Sequence, residues 1–260
     1  MPEYEQEAPC ASVPVKVNGT DADTLKETNT ERRLDASSAP VQLAVYDFDG
    51  TSITGNSPVL LVSYMARRRM LKLGVLVRIL LWAFAYKMRL PQNESSVRSL
   101  VFTAFAGKPK EEVDCFLREF YDDRIAPRFR NDIDVSMRKH REQGHVVVIV
   151  SATFAPILER AKELHPFDYQ ISTLMHVDDC GNYTNEVEGL PVEGEEKPRA
   201  IEAFADKTFG VGAWQLGYAY GDHHSDRPML FASKHPCAVN PDWTLARTAR
   251  REGWTILNWG

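Results

Sequence analysis

The sequence predicts an α/β fold, a parallel sheet between two layers of helices with a helical lobe inserted after the first strand. Three observations carry this. Uninterrupted apolar runs, of the length and pattern of strands buried on both faces, recur from Val41 onward. Helical patterns separate them, and alternating strand and helix is the signature of a parallel sheet. Polar residues with reactive chemistry collect at the carboxyl ends of the runs, where open parallel sheets bind ligands.

The elements follow in chain order. Residues 1–40 are rich in Glu, Asp, Thr, Ser, Ala and Pro and poor in large apolar residues, which predicts a disordered acidic tail. It has no apolar segment behind a basic start and so does not read as a secretory signal. "VQLAVYD" (Val41–Asp47) predicts the first strand. Residues 53–130 read as helical throughout, in "LLVSYMARRRMLKLGVLVRILLWAFAYKMRL", "SSVRSLVFTAFAG" and "PKEEVDCFLREFYDDRI". A crossover between neighbouring strands needs only about a dozen residues, so this insertion predicts a separate cap over the strand ends. The catalytic core would then comprise 41–52 and 131–260. Within it, a helix over 132–143 stops at Gly144, and "GHVVVIVSAT" (144–153) predicts the second strand. Further strands are predicted at 167–173, 214–222 and 236–240, and helices at Ala155–Leu164, 198–207, 225–233 and 242–252. The alternation around Asp179-Cys180-Gly181-Asn182 predicts a small appended hairpin.

Composition narrows the class. A chain of 260 residues, 43% hydrophobic and 26% charged, is ordinary for a globular protein with a sizeable core. A net charge of -5 argues against a dedicated nucleic-acid binder. Cys10, Cys115, Cys180 and Cys237 form no CxxC pair, which suggests neither a zinc site nor a disulfide framework and points to a reducing, cytoplasmic location. No segment has the ~20 uncharged apolar residues of a membrane span.

The reactive residues are few. The first strand ends in Asp47 and, after one aromatic residue, Asp49. In an extended strand these carboxylates share a side, and at roughly 5 Å they repel by about 3 kcal/mol at an effective dielectric near 20. The second strand ends in Ser151, and the fourth runs into "GDHHSD", with Asp222 and Asp226. Lys197 precedes Pro198, which marks a helix start. Singly, each has a structural explanation: an Asx-turn, a helix cap or a solvated lysine. Together, in this order on one sheet edge, they point to a site. His223 and His224 invite a zinc reading, but adjacent histidines rarely reach one ion together, which favours contact with substrate or solvent at the rim.

"DFDGT", "VIVSAT", "EGEEKPRAI" and "YGDHHSDRPML" resemble the four motifs of the haloacid dehalogenase-like hydrolases, in particular the phosphoserine-phosphatase-like branch with its cap inserted after the first motif. The resemblance covers about 41–260. It implies a Rossmann-like three-layer core and a phosphate monoester as substrate, hydrolysed through an aspartyl-phosphate. By that resemblance Asp47 attacks phosphorus, and Asp49 protonates the leaving oxygen and then activates water. Asp47, the Asp49 carbonyl and Asp222 would hold Mg2+. Ser151, the Ala152 amide and Lys197 would bind the phosphate, Gly50 and Thr51 would shape the loop beneath it, and Asp226 would orient Lys197 or a metal-bound water.

Two positions depart from the branch. Asn56 stands where it places a Glu that reads the substrate ammonium, and Ser225 where it usually has Asn. The serine substrate therefore does not carry over. Arg67, Arg68, Arg69, Lys72, Arg78, Lys87 and Arg89 interleave with apolar residues including Trp82 and Phe84. This pattern suits either a packed cap with a solvated basic rim or peripheral contact with an anionic membrane, and hence a lipid head-group phosphate as well as a small metabolite. A phosphotransferase and a non-catalytic binding module of the same fold are the alternatives. The oligomeric state stays open.

Overall fold

One sheet of seven strands organises the computed structural model, which describes residues 39–70, 103–188 and 192–260. The predicted tail lies outside these residues except for its last two. So do Lys72, Arg78, Trp82, Phe84, Lys87 and Arg89 of the predicted cap. In chain order the described elements are β1 (Val41–Asp47), α1 (Ser57–Arg67), α2 (Lys110–Phe120), α3 (Asn131–Glu142), β2 (Val146–Phe154), α4 (Ala155–Leu164), β3 (Tyr169–Val177), β4 (Tyr183–Glu188), α5 (Glu196–Phe209), β5 (Trp214–Gly221), α6 (Arg227–Ala232), β6 (His235–Val239), α7 (Trp243–Glu252) and β7 (Thr255–Leu257). After α2 the chain continues through a π turn (Tyr121–Ile125) and a 3-10 turn (Ala126–Arg128).

The strand order is β4-β3-β2-β1-β5-β6-β7, with β1 central. Every pairing is parallel except β3 with β4, the appended hairpin. Side-chain alternation on β1 divides the core. Leu43 and Val45 pack with Ile201 of α5, Met229 of α6 and Leu245 of α7. Ala44 and Tyr46 face Met137 of α3 and Leu158 of α4 on the other side. Burying a side chain of Leu, Val or Phe size contributes about 1.5–3 kcal/mol, so two such faces suffice to fix the register of the central strand.

The described helices of the predicted cap join the second of these faces. Leu61 and Met65 of α1 and Phe116 and Leu117 of α2 belong to one apolar cluster with Tyr46 and Ile149 of the sheet. Arg68, just beyond α1, pairs with Glu119 at 2.9 Å and lies over the Tyr64 ring.

Several boundaries differ from the sequence reading. β2 does not end at Ser151 but runs to Phe154, with a register shift against β3 between Val150 and Phe154. Ser151 still lies just beyond the last pair with β1, Asp47 with Val150. β3 extends to Val177 because the hairpin partner prolongs it. α5 begins at Glu196, so Pro198 occupies its third position. The predicted helix over 225–233 is a 3-10 turn (His224–Asp226) followed by α6. No candidate membrane span occurs among the described residues: none of their helices is long and apolar enough.

Candidate active site

Leu43, Val45 and Asp47 share one face of β1, the face that packs on α5. Lys197, in the first turn of α5, meets Asp47 there. Its Nζ donates to Asp47 Oδ1 at 2.5 Å and to Asp226 Oδ1 at 2.6 Å. All three side chains are buried. Asp226 closes the 3-10 turn after β5, where its other oxygen accepts from the His223 amide at 3.2 Å. Gly221 makes this approach feasible, since a Cβ there would stand 2.7 Å from the Asp226 Cβ.

Beyond Asp47 the chain leaves the strand. Phe48 O accepts from the amides of Ser52 and Ile53, and Gly50 takes φ 82, a left-handed conformation that glycine adopts without a steric penalty. The bareness of Gly50 is required twice over, because a Cβ would lie 2.1 Å from Asp222 Oδ2. Thr51 Oγ1 donates to the other oxygen of Asp222 at 3.0 Å, so this loop positions the first residue after β5.

Asp49 goes elsewhere. Strand alternation predicts that it leans toward Asp47, but β1 ends at Asp47 and Asp49 bridges Ile53 instead. Its carboxylate accepts from the Ser57 amide and, at 3.0 Å, from Ser57 Oγ. Ser57 Oγ is also 3.0 Å from Thr153 Oγ1, and the Thr153 amide donates to Ser151 Oγ at 3.0 Å. Ser57 sits at the start of α1 because Asn56 caps that helix, its side-chain oxygen accepting from the Val59 amide at 3.2 Å.

A cavity of about 190 Å³ opens among these groups. Asp47, Asp49, Asn56, Ser151, Ala152 and Lys197 line it, with His223 and Ser225 at its wall. Sequence reasoning missed Ser57, Thr153 and Glu193. The first two are signalled by "GNSP", a cap followed by a helix start, and by the alternation of Ser151 and Thr153 on one strand; Glu193, also at the wall, opens "EGEEKPRAI", where only Lys197 is assigned a role.

The electrostatics are uneven. Carboxylate oxygens of Asp47, Asp222 and Asp226 lie within 4.8 Å of one another, beside the Lys197 ammonium. Burial pushes the Asp222 carboxyl up to about 7, reinforced by Asp226 and opposed by Thr51 and Lys197. Burial also raises Asp47, with Lys197 opposing. Desolvation would lower Lys197, but Asp226 and Asp47 outweigh it and hold the ammonium above the ordinary lysine value. One ammonium against three carboxylates leaves two formal negative charges, and all the donors are hard oxygens. This set fits a hard dication. Asp226 joins this group of carboxylates, while the Asp49 carboxyl, which is not the atom expected to ligate, is engaged by Ser57.

The haloacid dehalogenase-like hydrolase family matches residues 44–230. The inhibition of morphological differentiation protein of Streptomyces azureus is 29% identical over 224 residues, covering 85% of this chain and 79% of that one. The histidinol-phosphatase of Neisseria meningitidis is 29% identical over 150 residues, 57% of this chain and 68% of that one. Among solved structures, a phospho-aspartyl intermediate analogue of phosphoserine phosphatase superposes with a TM-score of 0.56 at 21% identity, over 84% of this chain and 93% of that one.

Proposed function

Since the chain belongs to the haloacid dehalogenase-like hydrolase family, we propose that it hydrolyses a phosphate monoester through an aspartyl-phosphate, with Asp47 as nucleophile and Mg2+ as cofactor. The observation that carries this reading is the buried contact of Lys197 with Asp47 and Asp226, beside Asp222, at one end of a cavity that also holds Asp49 and Ser151. Lys197 favours the ionised form of Asp47 against the burial that raises its carboxyl, and fixes its plane. An oxygen of Asp47 attacks phosphorus, the ester P–O bond breaks, and Asp49 gives its proton to the departing oxygen. Asp49 then takes a proton from water, whose oxygen displaces Asp47 and releases phosphate. The Ser151 hydroxyl, which accepts from the Thr153 amide, has its own hydrogen available for a phosphate oxygen. In this reading Asp47, the Asp49 carbonyl and Asp222 would hold the dication, and Asp226, whose carboxylate gathers with those of Asp47 and Asp222, positions Lys197. When bound, magnesium offsets the carboxylate charge and that of the phosphate.

Residues 53–130 act as the cap in this reading and 41–52 with 131–260 as the core. The related histidinol- and phosphoserine phosphatases favour a small phosphorylated metabolite. Asn56 uses its oxygen to cap α1, which leaves its amide NH2 group, a donor, for the substrate. A lipid head-group phosphate is the other class. Its support is the basic apolar stretch, of which Arg67, Arg68 and Arg69 are described and Arg68 is already paired within the fold. An aryl-phosphate assay with magnesium, with excess EDTA and with Asp47→Asn tests the mechanism: turnover is expected only in the first. Undiminished turnover in the variant overturns the assignment. A screen of soluble metabolites and lipid phosphates then separates the substrate classes.

A further inference from the structure

A second group of metal-ligating side chains lies beside the cavity. His223 Nε2 and His224 Nδ1 are 3.1 Å apart, and each is 3.5 Å from Asp242 Oδ2. Donors bound to one tetrahedral zinc at about 2.0–2.1 Å stand roughly 3.3–3.4 Å from each other. The triangle already has the size of one face of that tetrahedron.

Local structure explains how adjacent histidines achieve this. His223 is extended (φ -110, ψ 154) and His224 enters the 3-10 turn, which brings the two rings side by side with centroids 4.1 Å apart. Asp242 arrives from the start of α7, tied to the same loop by its amide, which donates to Asp222 O at 2.8 Å. Its carboxylate is held by the amides of His224 at 3.1 Å and Leu245 at 2.6 Å. Ser225 engages His223 Nδ1, its Oγ at 3.0 Å and its amide at 3.4 Å, so that Nε2 is the nitrogen turned toward His224 and Asp242. Such outer contacts orient metal-binding imidazoles. All three side chains are partly exposed, so an ion can reach them.

We propose that His223, His224 and Asp242 form a second cation site. It takes a borderline dication of the zinc class through two imidazoles and one carboxylate, and leaves a fourth position for water or an anion. Magnesium, which favours oxygen ligands, is disfavoured here and belongs with the acidic cluster. The proposal does not rest on the phosphatase reading, and its test needs no turnover.

Tag-free full-length protein, stripped with chelator and saturated with magnesium, is titrated with Co2+ as the probe. Visible absorption reports coordination, and Zn2+ competition reports affinity. One equivalent of Co2+ with the intense bands of a four-coordinate site is expected. His224→Gln and Asp242→Asn should each weaken binding by at least about tenfold. Asn preserves the helix cap at 242, and melting curves verify that both variants fold. Asp222→Asn should keep the bands. Absent bands in the parent, bands lost in Asp222→Asn, or affinity unchanged in both His224→Gln and Asp242→Asn each overturn the proposal.

Discussion

Gly50→Ala introduces a methyl group at a position where its neighbours leave no space. The new Cβ would stand 2.1 Å from Asp222 Oδ2, 2.6 Å from its Cγ and 2.9 Å from Oδ1, and all three belong to a side chain held by Thr51. The carboxylate must therefore swing away and give up the Thr51 hydrogen bond. A bond to a charged acceptor is worth about 1.5–3 kcal/mol, and holding alanine at φ 82 costs about 1–2 kcal/mol more. Together these amount to roughly 3–5 kcal/mol, or a fall in Tm of roughly 6–20 °C for a chain of this size. Gly144→Ala is the control. It has φ 78 but nothing within 4 Å of the added Cβ, so it carries the backbone cost alone. Thermal melts of both variants separate strain from collision, and aryl-phosphate turnover across a magnesium titration reads the displacement of Asp222. The variant at Gly50 should need much more magnesium for half-maximal rate. Equal melting temperatures for the two variants, with magnesium dependence unchanged, would show that the close approach of Gly50 to Asp222 does not matter to the site.

Three further outcomes follow from the same geometry. Lys197→Met strands two buried carboxylates, and breaking a buried ion pair in this way costs about 3–5 kcal/mol; urea unfolding near neutral pH with an unchanged midpoint would refute the pairing. Ser57→Ala removes the hydroxyl partner of Asp49 and should lower kcat/KM about 10- to 100-fold, whereas a loss below about threefold would mean that Ser57 does not position the acid. His140 is buried against Tyr220 and His145, and burial pushes its pKa down to about 4, helped by His145. The unfolded chain therefore binds more protons between about pH 4 and 6.5, so stability rises with pH across that window and is lost as pH falls through it. His140→Gln should flatten this slope in pH-dependent unfolding, and a slope equal to the parent's would count against the assignment.

What the sequence made legible in the fold follows from burial. β1 and β2 are covered on both faces, so they read as unbroken apolar runs, and α4 was recovered with both its bounds because an apolar stripe spans its full length. β7 was missed. Thr255–Leu257 is too short to show a period and is a strand only because the edge of β6 accepts it. α5 starts two residues before Pro198, the residue that marks the helix start in the sequence. Proline is tolerated throughout a first turn whose amides lack helical partners, and here the Glu196 and Lys197 amides bond Glu193 O and Gly194 O instead.

The site was legible as a set of residues but not as a set of pairings, and the reason is physical. Asp47 and Asp49 look interchangeable in "DFDGT", two acids flanking one aromatic. Their surroundings come from distant parts of the chain: Lys197 and Asp226 for the first, Ser57 and, through it, Thr153 for the second. Those surroundings separate the two carboxyls chemically. Asp47 is sealed beside an ammonium that opposes the effect of burial and favours the ionised form the proposed nucleophile needs. Asp49 is half-buried at the cavity wall and held by an amide and a hydroxyl, one of which can rotate as a proton is gained or lost. A residue that must be acid in one step and base in the next requires such adaptable contacts, because a fixed charge beside it would lock one protonation state. In the proposed mechanism the division of labour between the two aspartates would thus be set by the α5 and α1 helix starts that face them, more than by the motif in which they stand.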